Sequence, residues 1–148
     1  MTEIDFYTHV EDRQRVTCQL VLKACASQMR VLVLLSDEDQ VDRFDAYLWS
    51  FQPQSFVPHC RLEHPLAAQT PVLLTCREDL AVPHDELLVN LRNTPPQGFA
   101  RFRRLLEVVS TAEADRLAAR ERFRFYRDGG YPLRTHQLGA KPAGGTAA

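Results

Sequence analysis

No glycine precedes Gly98 in this chain of 148 residues. An α/β domain that binds nucleotides needs glycines at its first strand-to-helix turn, where the backbone must approach phosphate and offer amides from a helix N-terminus. The turns after the predicted strands carry Glu11-Asp12, Asp37-Glu38-Asp39 and Glu78-Asp79 instead. These acids repel a pyrophosphate but suit the positive end of a helix. No Gly-Lys-Ser/Thr is present to hold phosphate and magnesium, and no Gly-x-Ser-x-Gly elbow marks a nucleophile. A nucleotide-dependent or hydrolytic enzyme is therefore not expected, and neither is a cofactor. Other absences narrow the field further. Cys18, Cys25, Cys60 and Cys76 form no C-x-x-C pair and read as reduced thiols in a core. His59, Cys60 and His64 lack a fourth ligand at a recognisable spacing, so no metal is expected. No run approaches the ~20 apolar residues of a membrane span. Met1 to His9 carries acids without the apolar block of a signal peptide, which makes a cytoplasmic protein the expectation. Net charge is only −1, so no global field draws the chain to nucleic acid, and electrostatic recognition has to be local.

What is present reads as alternating strands and helices. Ile4 to Thr8 is β-rich. From Asp12 to Met29 the apolar positions Cys18, Val21, Leu22, Cys25 and Met29 recur at three- and four-residue intervals, which predicts an amphipathic helix. Arg30 to Leu35 is too short for a helix and too uniformly apolar for a half-exposed strand, so it fits a strand covered on both faces. Ser36 is placed to cap the helix that follows over Asp37 to Leu48. The segment to Pro71 reads as loop with at most a short strand. Pro71 to Thr75 and Glu86 to Leu91 read as two more buried strands, Gly98 to Phe102 as a helical turn, and Leu105 to Val109 as a further strand. Pattern is lost after Leu133, and Gly139 to Ala148 offers no apolar anchor, so a disordered tail is expected. With 45% hydrophobic residues, the chain has enough apolar material for one core. The expectation is a single domain over 1–138, a Rossmann-like three-layer α/β fold with a mainly parallel sheet and no nucleotide-binding glycine loop.

The stretch Arg116 to Tyr131, which holds most of the last predicted helix, concentrates charge. Arg116, Arg120, Arg124 and Arg127 fall four, four and three apart, which stacks their guanidinium groups into one ridge. Phe123 lies beside the ridge, and Arg122 brings the arginines on the helix to five. Leu117 and Ala118, with Phe125 or Tyr126, are placed to face a core. Ser110 or Thr111 is placed to cap the helix, and Gly129-Gly130 supplies the left-handed residue that ends it. The ridge reads either as a solvated face with weak ion pairs or as a surface for an anionic partner, an acidic peptide or nucleic acid. Trp49 with Phe56 reads either as core packing at a helix end or as a hydrophobic docking patch. His9, His84 and His136 are isolated and read as surface or loop residues.

Several stretches together resemble the chi subunit of bacterial DNA polymerase III holoenzyme: Phe6-Tyr7, Arg30-Val31-Leu32, Leu48-Trp49 followed by Ser55-Phe56-Val57-Pro58-His59, and Leu117-Ala118-Ala119-Arg120-Glu121-Arg122-Phe123-Arg124-Phe125-Tyr126-Arg127. The resemblance spans roughly Ile4 to Leu133. It implies a non-catalytic accessory subunit of a DNA-directed DNA polymerase holoenzyme, associated with the clamp loader, on a nucleotide-binding-like fold without its phosphate site. It implies that one surface grips the acidic, phenylalanine-ended C-terminal tail of single-stranded-DNA-binding protein. On that resemblance Arg120 pairs with the tail's terminal carboxylate, Phe123 walls the pocket for its aromatic ring, and Arg116 and Arg124 flank them. A second surface, with Trp49 and Phe56, is implied to dock the psi subunit of the clamp-loader complex or an accessory helicase. Phe123 and Arg124 stand where the family can have tyrosine and lysine. The link between the Val108-Val109 strand and the last helix looks short, and the resemblance does not assign the residue that closes the pocket from that side. The alternative function is direct binding of single-stranded nucleic acid by the same helix.

Overall fold

The computed structural model describes residues 1–51 and 57–138. Seven strands form one all-parallel sheet: β1 (Glu3–Val10), β2 (Val31–Leu34), β3 (His59–Arg61), β4 (Val72–Thr75), β5 (Leu87–Asn90), β6 (Arg104–Ser110) and β7 (Leu133–Gln137). Their order across the sheet is β3-β4-β2-β5-β6-β1-β7. Three helices complete it: α1 (Arg13–Ala26), α2 (Glu38–Ser50) and α3 (Glu113–Asp128). Every residue of β2, β4 and β5 is buried, which is why these strands lack polar alternation.

Alternate residues of the strands feed two cores. Val31, Val33, Val72, Leu74, Val89 and Val108 pack against Cys18 and Val21 of α1 and Val41 and Phe44 of α2. On the opposite face Leu32, Leu73, Leu88, Leu105 and Phe6 pack against Ala119 and Tyr126 of α3 and against Phe99 and Phe102. The result is the expected three-layer Rossmann-like α/β architecture. Among the described residues no helix is long and apolar enough to cross a membrane.

Several local expectations need correction. Asp37, not Ser36, caps α2: its Oδ1 accepts from Gln40 N at 2.8 Å. α3 starts after Ala112, with no side-chain cap. Ser110 instead holds the preceding turn, accepting from Ala112 N at 3.2 Å and donating to Asp115 at 2.5 Å. The end of α3 is as expected, with Gly130 of the Gly129-Gly130 pair left-handed at φ +83°. Among the cysteines only Cys18 lies fully in the core, where burial pushes its thiol up to about 12; Cys25, Cys60 and Cys76 are half-buried.

The pattern does not end at Leu133, because β7 pairs with β1 from Ile4↔Leu133 to Thr8↔Gln137. It escapes a hydrophobic pattern because it is an edge strand whose side chains beyond Leu133 are polar and mostly exposed. Charge fastens it. Asp5 on β1 is 1% exposed and meets Arg104 at 2.8 Å, Arg134 at 2.9 Å and His136 at 2.9 Å. Burial alone would raise this carboxyl, but the hydrogen bonds from Arg134, Arg104 and His136 hold it down to about 2, against an ordinary 3.8. A folded-state value below the unfolded one means stability that is present above the ordinary value and lost as pH falls through both. Allowing for solvent around Arg134, the loss is about 1–2 kcal/mol between pH 5 and 2. Urea unfolding of wild type and Asp5→Asn across that range measures it; parallel stability curves for the two proteins would refute the assignment.

Candidate functional site

The face that α3 turns to the sheet is Ala119, Arg122 and Tyr126, three and four residues apart and all buried. Of the residues expected on the core side, Tyr126 is buried, whereas Leu117 and Phe125, the alternative to Tyr126, are half exposed. Arg122 does not belong to the cationic surface at all. It is 3% exposed, and its Nε donates to Glu107 of β6, itself 0% exposed, at 3.0 Å. Tyr126 donates to the same carboxylate at 2.5 Å and Asn90 Nδ2 at 3.0 Å, while Arg122 Nη1 donates to Asn93 O at 3.1 Å. Burial pushes the Glu107 carboxyl upward, and Arg122, Tyr126 and Asn90 pull against that rise. This network ties β5, β6 and the loop after β5 to α3, and so fixes how α3 rotates on the sheet.

That rotation sets Arg116, Arg120 and Phe123 over the end of the sheet formed by β6, β1 and β7. Together with Phe6, Thr8, His9, Val109, Ala119, Thr135 and Gln137 they line a groove of about 270 Å³. A cavity of ~150 Å³ holds benzene, so a phenyl ring fits with room to spare. Phe123 is half-buried, its ring edge-on to Phe6 at 5.3 Å. Arg116 and Arg120 are exposed, and no carboxylate among the described residues pairs with either guanidinium. The groove thus has an apolar wall and two uncommitted cations on its rim, the combination that receives an aromatic ring and a carboxylate. Arg124 does not line it. Arg124 is exposed and pairs with Glu121 at 3.2 Å, and Arg127 reaches Asp128 at 3.4 Å.

At the other end of the sheet Trp49 closes α2. Its indole is 53% exposed, which rules out the core-packing reading, and its ring lies 4.6 Å from that of His59. Asp45, Trp49, His59, Cys60, Arg61, Glu63 and His64 surround a shallow hollow. His59 Nδ1 lies 2.7 Å from Val57 O, and its buried Nε2 faces Asp45 Oδ1 at 2.9 Å. Among the described residues no three His, Cys, Asp or Glu side chains are arranged to hold a metal ion. Phe56 lies outside the described residues, as does the tail 139–148. Two of the other histidines pack within the fold. His84 is buried beside Phe102, and burial lowers its pKa. His136 lies on β7, stacked on Tyr7 at 4.6 Å.

The carboxyl edge of the sheet, where nucleotide-binding relatives of this architecture receive phosphate, has another use here. Arg13 donates to Val108 O at 3.0 Å and Leu91 O at 2.8 Å, and Arg92 donates to Leu35 O at 3.2 Å and Cys76 O at 3.0 Å. Two guanidinium groups thus bind carbonyls at or near the strand ends. Glu11, Asp12 and Asp115 line the crevice beside Arg13 and make it unfavourable for phosphate.

The family model described as "DNA polymerase III chi subunit, HolC" matches residues 1–134. A chi subunit of DNA polymerase III from Pseudomonas aeruginosa is 39% identical over 142 residues, covering 93% of this chain and 98% of the relative. Its counterpart in Escherichia coli K12 is 28% identical over 134 residues, covering 90% of this chain and 89% of the relative. That of Haemophilus influenzae is 27% identical over 126 residues, covering 85% and 88%. With the three-layer fold and a match over nearly the whole described chain, the conclusion is direct: the chain belongs to the DNA polymerase III chi family, accessory and non-catalytic subunits that serve DNA replication.

Proposed function

We propose that this chain tethers the replication machinery to coated single-stranded DNA by holding the acidic C-terminal tail of single-stranded-DNA-binding protein in the α3 groove. The observation that carries this reading is the pairing of Arg116 and Arg120, free of carboxylates among the described residues, with an apolar-walled groove of a volume that takes a phenyl ring. Arg120 clamps the terminal carboxylate, Phe123 and Val109 wall the ring, and Arg116 attracts the acids before it. Arg124 acts from outside the groove, as a flanking charge on the approach. Residues 1–138 serve as one adaptor domain in the cytoplasm. The exposed Trp49, with Phe56, docks the second partner, the psi subunit of the clamp-loader complex or an accessory helicase.

A peptide from the host binding protein's tail, titrated into the full chain, is expected to bind saturably and more weakly as salt rises. Arg120→Ala is expected to lose about 10- to 100-fold in affinity, the worth of hydrogen bonds to a charged group. Unchanged affinity in that variant sinks the assignment. Tight binding of naked single strands with no response to the peptide would favour the direct nucleic-acid reading, whose log affinity falls linearly with log salt.

A further inference from the structure

β1 contains an irregularity. It pairs with β6 in step from Glu3↔Arg104 to Tyr7↔Val108, then resumes at Val10↔Ser110. Three steps on β1 thus face two on β6, a bulge with one extra residue. Within it His9 adopts φ +59°, a left-handed conformation that is uncommon outside glycine and favours glycine in such bulges. The other non-glycine residue with positive φ, Gln28 at +62°, lies just beyond the end of α1, where a left-handed residue is the ordinary way to stop a helix. His9 has no such excuse.

The bulge changes which way His9 faces. Along a regular strand Phe6 and Thr8 share one face, and Tyr7 and His9 the other. Here Thr8 and His9, adjacent in sequence, both line the α3 groove with Phe6, while Tyr7 packs into the opposite core. The extra residue therefore carries an imidazole onto the groove side, across from Arg116 and Arg120. Thr8 Oγ1 lies 3.0 Å from His9 Nδ1. With that hydroxyl donating to Nδ1, the ring proton resides on Nε2, which becomes a donor for a ligand. Non-glycine strain maintained at a groove is a mark of use, because the fold alone would be served better by glycine.

We infer that His9 closes the tail pocket from the strand side, its Nε2–H donating to the terminal carboxylate that Arg120 holds from the helix side. The inference rests on the tail-binding reading above, and makes His9 a determinant of preference for a free chain end. The test uses an acidic peptide ending in phenylalanine, with its C-terminus either free or amidated, titrated into the full chain and its variants. His9→Gly suits the bulge backbone and is expected to keep or raise Tm. It should weaken the free-acid peptide about 5- to 20-fold, the worth of one hydrogen bond to a charged group, and leave the amidated peptide unchanged. His9→Asn tolerates the left-handed backbone and keeps an N–H donor, so it should restore part of the lost affinity. If wild type binds and Arg120→Ala weakens binding, but His9→Gly matches wild type or weakens both peptides equally, the role given to His9 is wrong while the groove stands. If wild type binds neither peptide, the reading of the groove falls, and this inference with it.

Discussion

Arg122→Met is expected to lower the free energy of unfolding by about 3–5 kcal/mol, the cost of stranding one partner of a buried ion pair. Glu107 is fully buried, and Arg122 stands 3.0 Å away as its only cationic partner among the described residues. Removing the guanidinium also releases Asn93 O, which fastens the loop after β5 to α3. The deficit should depend on pH in a defined direction. Burial already raises the Glu107 carboxyl, and the Arg122 charge is the largest influence opposing it, so the variant's value rises further. A raised folded-state value gives stability that is present at low pH and lost as pH rises through it. The gap between variant and wild type therefore narrows towards acid and widens towards neutrality. Glu107→Gln in the Arg122→Met background is expected to recover part of the loss, since the amide oxygen still accepts from Tyr126 or Asn90 and no charge remains to be buried. Chemical denaturation of the two single variants and the double variant measures the coupling. Additive losses with no pH dependence would show that the pair is not acting as a buried ion pair.

The same network explains where the sequence could be read and where it could not. The uniform apolar runs in β2, β4 and β5 are buried on both faces, so hydrophobicity alone marked them. Glycine absence was legible in the sequence, but the arginines that bind the strand-end carbonyls were not. α3 was legible as a helix but not in its rotation. Reading outward charge and inward apolar residues put Leu117 toward the core, left Phe125 and Tyr126 as alternatives there, and counted Arg122 among the arginines of a cationic surface. The reverse orientation depends on a glutamate in the middle of a buried strand, fifteen residues upstream, and no periodicity on α3 records that. β7 was invisible for a related reason: polar side chains hold it, through a carboxylate on β1 almost the whole chain away. The groove residues Arg116, Arg120 and Phe123 were named from sequence, but Thr8, His9, Thr135 and Gln137 on its strand side were not. A bulge leaves no mark when its left-handed residue is not glycine.

Phe6→Ala is expected to cost about 3–5 kcal/mol, as truncations of a buried phenylalanine do, and it bears on the groove as well as on the core. Phe6 is 2% exposed, yet its ring forms the groove floor and touches Phe123 at 5.3 Å and Tyr126 at 6.0 Å. The residue on the groove wall is therefore supported from beneath by a core residue, which in turn packs against the tyrosine of the Glu107 network. Because the void opens beside a groove, α3 has two ways to respond. It can keep its place and leave a cavity, which maximises the stability loss, or settle toward β1, which recovers stability but moves Phe123 and the Arg120 rim. Phe6→Leu separates these responses in a protein that still folds. Leucine keeps most of the volume and loses the edge-to-face contact, worth about 0.5–1.5 kcal/mol beyond area, so its stability should fall less than that of the alanine variant. Its affinity for the tail peptide should fall if the change of floor from Phe6 to leucine or a shift of Phe123 alters the groove. Urea unfolding at constant m-value gives the first quantity and peptide titration of the folded leucine variant the second. A loss below about 1 kcal/mol in Phe6→Ala would contradict the packing, since only a site able to collapse fully gives so little. Undiminished peptide binding in Phe6→Leu would mean that Phe123 holds its position through α3 alone, anchored by Arg122 and Tyr126 on Glu107.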